Sequence, residues 1–176
     1  MSPASPRAAI ITELEETRTA FHELLSALPP AAWNQPSRNP TWTVAQIMVH
    51  IVQVGGNIPP EVNWIRRGRW FPKPPARLFD TINAWAVRLI ARGKTPGDVA
   101  TAYDQAHTKL LMLVNNLAHD DWAKNTTYPT LTDGPAGADG IVTLEMLIRY
   151  HARHFQLHVP DVAPFVVTSE QPGEPT

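Results

Sequence analysis

The 176-residue chain contains no cysteine. That excludes disulfides, thiolate metal sites and a thiol nucleophile supplied by the protein itself. It also lacks a charge excess of either sign: the formal net charge is −1 and the isoelectric point near 6.6. A basic footprint for nucleic acid or an anionic membrane is therefore absent, and neither is an expected partner. The cluster Arg66-Arg67-Gly68-Arg69 is short and reads as a solvated helix end. No apolar run reaches membrane-spanning length, and the first residues, MSPASPRAAIITELEE, carry early acids and no apolar signal core. Cytoplasm is the expected location. No internal repeat is evident.

What is present is helical periodicity punctuated by proline and glycine. Ser5 and Pro6 supply a cap and a first helical position, and Ile10, Leu14, Thr17, Phe21, Leu25 and Leu28 then recur on one stripe as far as Pro29-Pro30. Thr43 followed by Gln46 forms a capping-box pattern that opens a second helix, expected to stop at Gly55-Gly56. A short helix from Pro60 to Arg67 is expected next, and then a linker, FPKPP, at 71–75. Leu78, Ile82, Trp85 and Leu89 mark an amphipathic helix that closes near Gly93. Thr95-Pro96 opens another, with Val99, Tyr103, Ala106, Leu110, Leu113 and Leu117 on its stripe. Residues 118–142 read as irregular, with room for a short strand, and Thr143 caps a last helix that Pro160 is expected to stop. The fold class is all-α: an antiparallel four-helix bundle with one or two additional helices inserted after the second. A single domain is expected over residues 1–167, with a disordered tail at 168–176.

The chemistry-bearing residues are histidines. His151, His154 and His158 lie three and four apart in TLEMLIRYHARHFQLHV, on the stripe that also carries Leu144, Leu147, Ile148 and Phe155. His50 lies on the inward side of WTVAQIMVHIVQV. Imidazole on a core-facing stripe needs a hydrogen bond or a metal, because a buried polar group without a partner is costly. The pair His154 and His158 (i, i+4) can reach one ion, as can His151 and His154 (i, i+3). Spacing favours His154 and His158, with His50 as third ligand from the facing helix and open positions left for water or substrate. The competing reading is a partly buried histidine network that satisfies itself. His22, His107 and His119 are read as structural, with His107 alone near enough in pattern to approach the site. Gln46 and Gln53 flank the His50 face, and capping is the better-supported role for Gln46. Six tryptophans are present; Trp64, Trp70 and Trp85 are candidates to line an apolar pocket over the metal, with core anchoring as the plainer role.

Trp42-Thr43 opening the second helix, His50 two turns on, and the later His154-x-x-x-His158 together resemble the DinB-like superfamily of helical bundles, over roughly residues 6–160. The resemblance implies a divalent metal, zinc or nickel, held by His50, His154 and His158. It implies an enzyme acting on a small electrophilic molecule, because activities of that superfamily include S-transfer with bacillithiol or mycothiol, a mycothiol-dependent maleylpyruvate isomerase and metal-dependent hydrolases. Thiol S-transfer with an external low-molecular-weight thiol is therefore expected, or hydrolysis by water activated at the metal, with His151 as proton carrier. The alternative is a non-catalytic protein that sequesters a small molecule in a tryptophan-rich pocket. The segment 58–93 and Phe155 depart from common members. A homodimer is expected by the same resemblance, with Trp70 and Phe71 as interface candidates.

Overall fold

The computed structural model describes residues 6–69, 76–128, 134–136 and 140–166. The expected linker at 71–75, Trp70, Phe71 and the tail at 168–176 lie outside them, as does Ser5. Helix α1 spans Arg7–Ser26, α2 Val44–Arg66, α3 Ala76–Ile90, α4 Pro96–Asn116 and α5 Leu144–Val162. Two three-residue strands, β1 (Asn125–Thr127) and β2 (Ile141–Thr143), pair antiparallel between α4 and α5. Short 3-10 turns at 30–32, 119–121 and 163–165 complete the described elements. The all-α bundle expected from the sequence is what the chain forms.

α1, α2, α4 and α5 are the bundle. α2 packs along α4 and α5, and α1 packs along the same two, so α1 and α2 occupy one diagonal. The core falls into two apolar halves. One holds Ile10, Leu14, Ile58, Val62, Leu110, Val114, Leu147 and Ile148. The other holds Phe21, Leu25, Ile47, Met48, Ile51, Val99, Tyr103 and Phe155. Sequence order through the two halves sets the directions: α1 and α5 run one way, α2 and α4 the other. Because α2 and α4 are parallel, the chain between them must return along the bundle, and α3 supplies roughly 22 Å of that return at about 1.5 Å per residue. The helix at 76–90 is thus a crossover element. Val87 of α3 is buried, but Leu78, Ile82, Trp85 and Leu89 stay exposed.

Between the apolar halves lies a layer containing Thr17, Gly55, His107 and His151, one from each helix of the bundle and all four buried. Its presence explains a departure from the sequence expectation. Gly55 and Gly56 do not end α2, which runs unbroken through them and through Pro59 and Pro60 to Arg66. Ile51, Gly55, Ile58, Val62 and Ile65 are buried at helical spacing, so tertiary burial overrides the local breakers. The stop comes at Gly68, whose φ of +67° is the left-handed conformation that closes a helix. Gly55 has a packing role. A Cβ on it would lie 2.7 Å from Cε1 and 2.9 Å from Nδ1 of His151. The last helix likewise passes Pro160 and ends two residues later, at Val162.

The two neighbouring glycines should respond oppositely to alanine. Gly56→Ala meets nothing within 4 Å and should stabilise by up to about 1 kcal/mol through helix propensity. Gly55→Ala must displace an imidazole that Tyr103 holds by a hydrogen bond, and should destabilise by roughly 1–3 kcal/mol, as overpacking does. Thermal melts of the two variants beside the parent check the pair.

Candidate metal centre

Thr43 opens α2 with its side chain accepting from the backbone N–H of Gln46, while Gln46 Oε1 accepts from the backbone N–H of Thr43. Gln46 is thereby committed to capping. The cap fixes the start of α2, and two turns on His50 enters the core with 6% of its surface exposed. α5 starts in the same manner, with Met146 N–H donating to Thr143 Oγ1, and delivers His154 and His158 on successive turns.

His50, His154 and His158 converge. One ring nitrogen from each lies within 4.8 Å of the others. His154 Nε2 stands 3.0 Å from His50 Nε2. Two nitrogens on one ion, each about 2.1 Å from it, stand roughly 3.0–3.4 Å apart, so this edge has the length a shared ion requires. The His158 ring lies 5.1 Å from that of His50 and 4.7 Å from that of His154, centroid to centroid. Its Nδ1 lies 2.8 Å from Asp161 Oδ2, within hydrogen-bond distance. The Trp42 ring covers His50 at 4.4 Å and reaches His158 at 6.2 Å.

The electrostatics suit a cation. Burial, and next the neighbouring His158, push the His50 imidazole down to about 3. Burial and then His50 push His154 to about 2. Both rings are neutral at pH 7, the state in which imidazole is a ligand. Nδ1 of His50 and of His154 are buried without a hydrogen-bond partner among the described residues. The residues present therefore fit a divalent ion: three converging ring nitrogens, two of them on rings that are neutral at pH 7, with the third ring bonded to a carboxylate.

His151 sits outside this cluster. It is buried, bonded through Nε2 to the Tyr103 hydroxyl at 3.0 Å, and set against Gly55. Burial, and next His107, lower it to about 4, and burial pushes the Tyr103 phenol up. His107 is buried with Nε2 3.3 Å from Glu15 Oε1, and His22 bonds Asp104 at 2.9 Å. Gln53 Oε1 is buried without a partner among the described residues. The tryptophans expected over the metal are elsewhere: Trp85 is 65% exposed and Trp64 36% exposed. The indole at the site is Trp42. Sequence reasoning misses Asp161, because a helix stopped at Pro160 would not carry it onto the His158 face; the spacing of three was the available signal.

The sequence matches the DinB superfamily over residues 13–160, and the chain belongs to that superfamily. No curated protein matches it. Among solved structures it is similar to a mycothiol-dependent maleylpyruvate isomerase, at TM-score 0.66 and 14% identity over 90% of this chain. A histidine-to-alanine variant of that isomerase aligns at TM-score 0.67 and 14% identity over 93% of this chain. The chain spans 62% of the length of that variant and 61% of the unmutated isomerase. At this identity the likeness establishes the fold.

Three buried imidazoles, His50, His151 and His154, give stability a definite dependence on pH. Their folded values lie below the unfolded value of about 6.5, so the unfolded chain takes up more protons in acid. The contribution is complete above about pH 6.5 and is lost as pH falls through the window from there towards 4. In metal-free protein, urea unfolding at pH 7.5 and 5.5 should show a loss on the order of 1 kcal/mol per buried histidine. His151→Gln should flatten that slope.

Proposed function

We propose that the chain is a metal-dependent enzyme acting on a small electrophilic molecule, with His50, His154 and His158 as ligands of one divalent ion, zinc or nickel. The convergence of three imidazoles from two helices at one point carries this reading. What a bound ion supplies there is Lewis acidity, which lowers the pKa of a thiol or a water. The chain has no cysteine, so a sulfur nucleophile comes from an external low-molecular-weight thiol. Thiol S-transfer is the favoured reaction: sulfur bonds to the electrophilic carbon as that carbon's bond to its leaving group breaks, the leaving group departing with the electron pair and the thiol proton going to a base. Hydrolysis is the same site used with water.

The chain's own contribution is to orient and exclude. The caps at Thr43 and Thr143 set the phases of α2 and α5, Trp42 covers the His50 side, and Asp161 holds His158. His151 is placed as the proton carrier. It is neutral at pH 7, one turn from His154, and its Nε2 shares a hydrogen bond with the Tyr103 hydroxyl. The similarity to a mycothiol-dependent isomerase supports an external thiol. Sequestration without turnover is the weaker reading, because Trp64 and Trp85, which would have lined the pocket, face outward. A cytoplasmic location and a homodimer belong to the same proposal. No described helix is long and apolar enough to cross a membrane, and the exposed stripe of α3 is the apolar surface a second copy would cover.

Metal content by mass spectrometry tests the centre. The parent should carry about one ion per chain, and His50→Ala and His154→Ala should carry almost none while keeping their helical circular dichroism. A parent left empty after dialysis against zinc and nickel would sink the catalytic reading. For the assembly, sedimentation velocity should show a dimer that Trp85→Glu converts to monomer.

A further inference from the structure

We infer that Asp161 is the positioning residue of this centre: it fixes the Nδ1–H tautomer of His158 and so turns the lone pair on Nε2 towards His50 and His154. The inference rests on the metal reading above for its purpose, though not for the bond itself.

The bond is between side chains three apart on the last turns of α5, Nδ1 to Oδ2 at 2.8 Å. An ionised carboxylate only accepts, so the ring nitrogen facing it must carry the proton. Neutral imidazole then has its lone pair on Nε2. His50 and His154 have no such partner: the Nδ1 of each is buried without one among the described residues. Of the three rings, His158 is also the most open, at 14% exposed against 6% and 5%. Being least confined by packing, it has most need of a hydrogen bond to hold its orientation. A carboxylate behind a metal-bound imidazole also raises the ring's basicity and adds negative charge near the cation.

The position of Asp161 depends on α5 continuing past Pro160. Its backbone is used as well. The carbonyl of Asp161 accepts from the N–H of Arg38 at 3.0 Å, tying the C-terminal end of α5 to the loop that leads to Trp42. The same residue thus anchors one ligand and the segment carrying the indole that covers another. Side-chain replacement separates these roles, because the backbone bond survives it.

Two measurements on the full chain test this. The first is the tautomer of His158, read from long-range 1H–15N correlations of labelled, metal-free protein at pH 8. The parent should show Nδ1–H, and Asp161→Ala should shift towards Nε2–H. A parent ring protonated on Nε2 alone, or on both nitrogens, overturns the inference. The second is zinc and nickel affinity by chelator competition. Asp161→Ala should bind roughly 10–100-fold more weakly, and Asp161→Asn, whose carbonyl can still accept, should fall in between. Equal affinity in all three, with circular dichroism showing each folded, overturns it too. If the parent takes up neither ion, the metal reading falls by itself, and the tautomer in parent and variants decides the case for Asp161.

Discussion

Burial without charge is the constraint on which this structure depends. Four histidines, His50, His107, His151 and His154, lie inside a helical bundle, where an imidazolium would lose its hydration and find no carboxylate buried beside it among the described residues. The core therefore holds His50, His151 and His154 neutral at pH 7. Neutral imidazole still has one N–H to donate and one lone pair to satisfy. The fold answers this differently at two levels. At the middle, His151 pairs with the Tyr103 hydroxyl across the interior from α5 to α4. One turn further along α5, His154 meets His50 nitrogen to nitrogen, an arrangement in which a single proton serves two rings and a cation would serve both better.

The helices can meet at the right distance because one side chain is missing. α2 approaches α5 where Gly55 faces the His151 ring, and any Cβ would collide with it. That contact lies between His50 on α2 and His154 on α5 and the lower half of the core. It sets the separation of the two helices next to the point where their imidazoles converge. The Phe21 ring stacked on Tyr103 at 3.8 Å holds the other end of the Tyr103–His151 bond from α1. Packing in the middle layer and geometry at the centre are thus one problem: a change that spreads α2 from α5 also spreads the ligands.

The bundle and the three converging histidines were legible because they rest on periodicity and capping, both local. Thr43 with Gln46 and Thr143 with Met146 form the caps that the sequence pattern announces, and the buried stripe of α1 is the one its spacing predicts. Failures occurred where a local signal was outweighed at long range. Gly55-Gly56 and Pro59-Pro60 look like breakers, yet Ile51, Ile58, Val62 and Ile65 must all reach the core, and a continuous α2 is the way they do. Pro160 looks like a stop, yet it removes only one i→i−4 bond, and Val162 beyond it is fully buried in the core, so packing carries α5 through. Trp64 and Trp85 are pocket candidates by their place after the His50 helix, and core anchors by their size. Size says that a ring can bury a large area, not that its face of the helix points inward, and the crossover path of α3 leaves that face outside.

The ligand set is unequal in a way that bears on its chemistry. His50 and His154 are the buried pair, held by packing and covered on one side by Trp42. His158 is the outer ring, bonded to a carboxylate instead. An ion placed among them would be gripped rigidly from within the core and electrostatically at its rim. His158 is the one of the three rings that is partly exposed, so the cluster has a solvent-facing side there. A centre built wholly of buried rings would close over its ion and be structural. One whose third ligand is oriented by an acid near the surface keeps a reactive face, and that asymmetry favours a catalytic centre over a purely structural one.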